Sequence, residues 1–274
     1  MRTTVNILDN AKKRYEYSFI LLRQLVKTDF KLRYQGSALG YLWSLLKPLL
    51  LFLILYVVFA KFLKVGEGVP HFPVYLLTGI VLWNYFTEIT SGSIGAIVGR
   101  GDLIRKINFP KYIIVVSGCV GAFINLILNF IVIGVFMLVT GVDASWTAFL
   151  VIPLILELTI FALGIAFLLS AAFVRFRDIS YIWEVVLQGA FYATPILYPI
   201  TLVPAFAQGL LLLNPVAQII QDIRNVLITP ETLTLTEVYN TGLIILVPLG
   251  IVAIVALAGG LYFRSRSKYF AEEV

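Results

Sequence analysis

Residues 185–221 read VVLQGAFYATPILYPITLVPAFAQGLLLLNPVAQIIQ, 37 consecutive positions without a charged side chain. Pro195, Pro199, Pro204 and Pro215 divide the run. Proline inside a helix removes a hydrogen bond and clashes with the preceding turn, so no single straight helix fills it. A membrane span takes about 20 apolar residues, and two spans plus a turn would be tight. The fold turns on whether this run crosses a membrane once or twice.

The rest of the chain decides between them. Of its 274 residues 60% are hydrophobic and 13% charged, with a mean hydropathy of +0.94. Soluble domains carry roughly 25% charged residues, so a soluble fold is excluded, and so is intrinsic disorder. Five more apolar runs are long enough to cross, at 43–62, 72–98, 112–142, 144–174 and 243–263. Eighteen of the 21 Lys and Arg residues fall in 1–47, 100–111, 175–177 and 264–268. Lys61, Lys64 and Arg224 are the exceptions, in the alternate loops. The positive-inside rule then puts both termini in the cytoplasm, which requires an even number of spans. The 185–221 run therefore crosses once, net. We expect a fifth span at about 181–197, then a re-entrant hairpin at about 199–214. Irregular backbone at that depth must be buried in protein or face water, so the hairpin should pack on other spans.

The expected fold class is all-α integral membrane, with six transmembrane helices and both termini cytoplasmic. The spans fall at about 43–62, 74–98, 112–140, 147–173, 181–197 and 243–263, with re-entrant outer-leaflet helices between spans 5 and 6. Residues 41–264 make one transmembrane domain, preceded by residues 1–40 and followed by a cytoplasmic tail at 265–274. In the first segment Tyr15, Phe19, Leu22, Leu25, Val26 and Phe30 recur at helical spacing, with Lys12, Lys13, Arg23, Lys27 and Lys31 between them. This pattern suits an amphipathic helix in the cytoplasmic interface, or else a soluble helix packed on a partner. It lacks the early apolar core of a signal peptide.

Chemistry is sparse. One cysteine, Cys119, and one histidine, His71, leave no disulfide framework and no His/Cys metal site. No G-x-x-x-x-G-K-[ST] loop, H-E-x-x-H or G-x-S-x-G elbow occurs. The aspartates are scattered, without a pair to hold magnesium. A pI near 9.3 reads as topogenic charge rather than nucleic-acid binding.

Several features keep two readings. Ser91, Gly95 and Gly99 form a small-xxx-small row that allows close helix packing, within this chain or against a second copy. Glu88 is the most central acid. Intramembrane acids are costly and face the bundle interior or water, so it lines a transport path or bonds to Asn125, Asn129 or another helix. Tyr41, Trp43, Trp83, Tyr85, Phe86, Tyr192 and Tyr198 sit near span ends. They form an interfacial aromatic belt or line a path on which sugar rings stack. The loop RGDLIRKINFPK at 100–111 carries four basic residues. It is either topogenic charge or a short docking helix stopped by Pro110.

The stretches KTDFKLRYQGSALGYLWSLLKPLL at 27–50, VPHFPVYLLTGIVLWNYF at 69–86, RGDLIRKINFPK at 100–111 and TPILYP at 194–199, with Asn214-Pro215 after them, occur in that order. Together they resemble ABC-2 type permeases that export cell-envelope polysaccharides: O-antigen, wall teichoic acid or rhamnose-rich polymers. The resemblance implies a homodimer of permeases joined to two copies of a separate ABC ATPase subunit. ATP and Mg would sit on that partner, with no cofactor in this chain, which gives the missing P-loop a reason. It also implies a polymer carried on polyprenyl diphosphate, in a bacterial cytoplasmic membrane, with membrane lipids as further partners. Carried onto this chain, the family's coupling helix falls at about 101–108, with Asp102, Arg105, Lys106 and Phe109 as ATPase contacts. The interfacial helix maps to about 15–34, where Lys31, Arg33 and Tyr34 mark a substrate entrance. A guanidinium suits a phosphate bidentately, though Arg33 could equally anchor in headgroups. The 27–50 and 69–86 stretches lean towards wall polymers, a teichoic acid or a rhamnan. The rivals are an ABC-2 permease for small lipids or drugs, a membrane-embedded glycosyl or phosphoglycosyl transferase, and a secondary transporter.

Overall fold

Phe72–Ile94 forms the central helix of the molecule, and its sequence explains why. The run FPVYLLTGIVLWNYFTEITSGSI carries apolar residues on every side, the mark of a helix surrounded by protein. In the computed structural model almost every side chain from Phe72 to Phe86 is buried. The structure describes residues 2–274 apart from Ala38, Tyr41 and Ala144, with side chains from Glu16 onward except those of Arg33 and Tyr34.

In chain order the helices are α1 (Arg2–Tyr34), α2 (Leu42–Tyr56, extended by a π-helical turn Val57–Phe62), α3 (Phe72–Ile94), α4 (Gly101–Lys106), α5 (Tyr112–Thr140) and α6 (Val151–Arg175). Then come α7 (Ile179–Ala193), α8 (Ala205–Leu212), α9 (Pro215–Leu227), α10 (Leu235–Val238), α11 (Leu246–Arg266) and α12 (Phe270–Glu273). No strand occurs among the described residues. Helices α5 and α6 flank α3, α2 and α7 lie at its sides, and α11 runs along α6.

Among the described residues four helical stretches are long and apolar enough to cross a membrane: Leu42–Phe62, Tyr112–Thr140, Trp146–Arg175 and Gly242–Arg266. Helix α3 is not one of these stretches; it packs against three of them, through α2, α5 and α6. Helix α7 has 15 residues and stops at Ala193, where Pro195 ends it two residues later. The expected fifth segment had run on to 197.

The 199–214 segment also extends further than expected. It folds as a short 3₁₀ turn and α8, and α9 then returns as a second arm to Leu227. Helix α9 packs against α3 and α6. Asn214 caps it, its Oδ1 accepting from the Val216 amide at 3.0 Å, and Pro215 takes the first helical position, where a missing N–H costs nothing.

From Glu16 onward helix α1 shows an amphipathic register; the side chains of Lys12, Lys13 and Tyr15 lie outside the described residues. Ser18, Leu21, Leu22, Leu25, Val26, Asp29 and Phe30 form its half-buried stripe, which lies on α5. Phe19 lies at the edge of the same stripe and is exposed, lining a groove with Leu22, Val26 and Phe30, while Ile20 is exposed on the other face. The tail is folded back rather than loose. Phe270 is fully buried against Phe263, Arg266 bonds Glu273 at 2.8 Å, and α12 packs on α4.

Candidate functional site

Pro48 sits inside α2 and has no N–H to give the Ser44 carbonyl four residues back. In the apolar interior that acceptor needs another donor. The amide nitrogen of Asn129 on α5 supplies one at 3.4 Å and also donates to the Asn125 carbonyl at 2.8 Å. Asn125 in turn donates to Oε1 of Glu88 on α3 at 2.8 Å. A polar chain thus ties α2, α5 and α3 together through the bundle. Of the two readings of Glu88, the hydrogen bond to Asn125 is present in the structure.

The same groups line a cavity of about 470 Å³ between α2, α3 and α5. Trp43, Lys47, Asn84, Tyr85, Glu88 and Asn125 are among its walls. It combines an acid, a lysine and amides with aromatic faces, a mixture that suits hydroxylated ligands. Glu88→Gln keeps the shape but removes the charge. We expect it to cut transport about tenfold at unchanged protein yield, the effect of turning the charge-assisted hydrogen bond from Asn125 into a neutral one. Transport at the wild-type rate would make Glu88 a packing residue only.

The remaining aromatic candidates separate. Trp83 and Phe86 are core residues: Phe86 stacks on Phe161 with centroids 5.9 Å apart, and Trp83 packs on Phe191 at 5.8 Å. Tyr85 is buried, its hydroxyl 2.8 Å from that of Thr159. Tyr192 is exposed on α7, and Tyr198 donates back to its carbonyl at 3.1 Å. Lys31 is exposed on α1. Tyr41 and the side chains of Arg33 and Tyr34 lie outside the described residues.

Near residue 100 the basic loop does form a helix, α4, spanning Gly101–Lys106 within the expected 101–108. Asp102, Arg105 and Lys106 are exposed, with Arg105 3.6 Å from Asp102. Phe109 differs from expectation. Its ring is buried in the core, beside a cavity that Phe167 of α6 and Phe263 of α11 also line. It offers no surface for a partner, whereas Ile107 is an exposed apolar side chain.

The charge pattern puts Arg224 in a loop, but in the fold it is fully buried. Its Nε donates to the Tyr75 carbonyl at 3.0 Å and Nη2 to that of Ile196 at 2.8 Å. Nη1 donates to the Pro195 carbonyl at 2.6 Å and to Gln221 Oε1 at 2.9 Å. The guanidinium also lies 3.6 Å from the centre of the Tyr75 ring. Every one of these partners is formally neutral. Gly79 leaves the space: a methyl there would overlap the guanidinium. Neither Arg224 nor Gly79 carries a motif that singles it out. Among the described residues no group of three His, Cys, Asp or Glu could hold a metal ion.

A helical bundle with four membrane-length helices among the described residues has the form of an integral membrane protein. The family described as ABC-2 type transporter matches residues 20–228, and this chain belongs to it. It is 31% identical over 243 residues to an O-antigen export system permease protein of Klebsiella pneumoniae, covering 87% of this chain and 93% of that one. A Myxococcus xanthus protein of the same name is 30% identical over 267 residues, 96% and 98% of the two chains. A polysialic acid transport protein of Escherichia coli is 22% identical over 212 residues, 77% and 82%. The chain is thus an integral membrane permease of an ABC exporter, a transport subunit without its own nucleotide site.

Proposed function

We propose that this chain is the permease of an exporter that moves a polyprenyl-diphosphate-linked cell-envelope polysaccharide across the bacterial cytoplasmic membrane. The observation that carries the reading is the near end-to-end similarity to permeases named for O-antigen export. Six crossings, with both termini cytoplasmic and α8 and α9 re-entrant in the outer leaflet, agree with the charge distribution.

Two copies would enclose the path. Support comes from α7, where Tyr181, Glu184, Gln188 and Tyr192 are all exposed at spacings that place them on one face. Polar side chains facing lipid are costly, so a second copy or water should meet this face. Its rings and amides offer weak repeated contacts suited to a sliding sugar chain. The polymer would enter beside α1, where Lys31 and Arg33 can meet the lipid diphosphate. Two ATPase subunits, carrying ATP and Mg, would dock on α4 of each copy, and their closure would open the path. Nucleotide can bias the permease only if its two states contact the partners differently.

The test is purification of the tagged chain in mild detergent from its native cells. A stoichiometric ABC ATPase is the expected companion, and lipid-linked O-antigen-type glycan the expected stimulant of its hydrolysis. Stimulation by a teichoic acid or rhamnan precursor instead would move the assignment to those polymers. Response only to small lipids or drugs, or a chain that purifies without an ATPase, would overturn it. Arg105→Glu with Lys106→Glu should lower ATPase recovery by about tenfold, because reversing exposed charges at a docking surface adds repulsion as well as removing attraction. Undiminished recovery would move the docking site away from α4.

A further inference from the structure

Arg100 is the last residue before α4 and makes a contact that the reading above does not use. Its Nη2 forms an ion pair with Oδ1 of Asp29 on α1. Its Nη1 donates to Ser117 Oγ on α5 at 3.3 Å and lies 3.5 Å from the Ile114 carbonyl. The Ser117 hydroxyl bonds to the Ile114 carbonyl at 2.8 Å and lies 3.5 Å from Asp29 Oδ2. One guanidinium thus joins α1, α5 and the start of α4, from positions 29, 100 and 117.

The geometry suits transmission of force. A helix of six residues is too short to hold its own shape in water, so its neighbours set where α4 sits. Ile104 buries one side of it, Val274 covers Gly101, and Arg100 fixes its first residue. The pair is only partly accessible, 21% for the Arg100 side chain and 35% for Asp29, so water and salt screen it less than a surface pair. Asp29 also belongs to the α1 stripe that lies on α5. A displacement of α4 reaches Arg100 through one peptide bond and then acts on α1 through a charge-assisted, directional contact.

We propose that Asp29 and Arg100 are a positioning pair that makes α1 move with α4, so that nucleotide-driven motion at the ATPase surface reaches the substrate entrance. The proposal rests on the permease function above.

The test uses the permease reconstituted with its ATPase in nanodiscs. A spin label goes on Gln24→Cys, an exposed position of α1, in a chain whose natural Cys119 is buried. In the wild type, ATP with vanadate should change the label's mobility. In Asp29→Asn and in Arg100→Ala the complex should still assemble and keep basal ATP hydrolysis within about twofold. Glycan-stimulated hydrolysis should fall about tenfold, within the usual range of coupling energies, and the label should no longer respond. The reversed pair, Asp29→Arg with Arg100→Asp, should restore both signals. Single variants that keep stimulation and label response would overturn the proposal. Losses that the reversed pair does not repair would overturn it too, since local packing would then account for them. A wild-type complex indifferent to every lipid-linked glycan would defeat the proposed function instead, while the label response to nucleotide would still decide the pair.

Discussion

Arg224→Leu should destabilise the protein by about 3–5 kcal/mol, at the extreme end of single substitutions. The change strands the carbonyls of Pro195 and Ile196 around a fully buried position, and each unpaired buried group costs roughly 1–3 kcal/mol. It also removes the cation stacked on Tyr75. A fall of roughly 10 °C in the unfolding midpoint in mild detergent is the expected signal. Arg224→Lys should recover little of it. An ammonium has no planar fork to reach carbonyls on two segments at once, and it stacks poorly on the ring. Gly79→Ala should act in the same direction by about 1–3 kcal/mol, because its methyl takes the space of the guanidinium. Combined with Arg224→Leu, its cost should largely vanish, since the two side chains then no longer compete. Wild-type stability in both Arg224 variants would show that the network contributes nothing.

The physical reason for this site lies in the turn after α7. The helix ends at Ala193, and the chain then runs through TPILYP, where the prolines keep it from continuing as helix. Two carbonyls, those of Pro195 and Ile196, converge there near the negative end of the α7 dipole. A buried cation is tolerable in such a place because oriented dipoles replace its water. The result pins α9 to α3 and to the end of α7. If α8 and α9 close the outer end of the path, this is the fixed side against which they would move.

What the sequence revealed and what it hid follow one distinction. Hydropathy and local periodicity report properties of a single segment. They placed the helical runs and the α1 stripe, and left the short helix before Pro110 as one of two readings. The acid–amide pairing of Glu88 with Asn125 was also readable as one option, because few polar groups exist in the bundle to satisfy Glu88. Contacts with backbone leave no such trace. The partners of Arg224 are mostly carbonyls, which every residue possesses, so QDIRN at 221–225 read as an ordinary polar loop. The Ser44 carbonyl freed by Pro48 and claimed by Asn129 was hidden for the same reason. Phe109 misled because an aromatic beside basic residues resembles a docking side chain, and only the fold shows that it points inward.

The close approach of α6 and α11 is the other contact that sequence spacing missed. Ser91, Gly95 and Gly99 form the visible small-residue row, yet a methyl added at Gly95 or Gly99 would meet nothing within 4 Å in this chain. The tight crossing is at Gly164 and Gly259. A methyl at Gly164 would lie 2.8 Å from the Ala256 backbone, and one at Gly259 would fall on the carbonyl of Gly164. Backbone atoms cannot rotate aside, so the helices themselves would have to separate. Lipid supplies no hydrophobic drive to push two helices together, and their association depends on such close packing. Gly259→Ala should therefore cost about 1–3 kcal/mol, and Gly259→Leu should prevent recovery of monodisperse protein. Gly260 provides the control one residue away. A methyl there has open space, and alanine is the better helix former by about 1 kcal/mol, so Gly260→Ala should be neutral or stabilising. Adjacent, chemically identical substitutions of opposite sign are what the crossing requires. Equal midpoints for Gly259→Ala and Gly260→Ala would mean that α6 and α11 do not meet at this point.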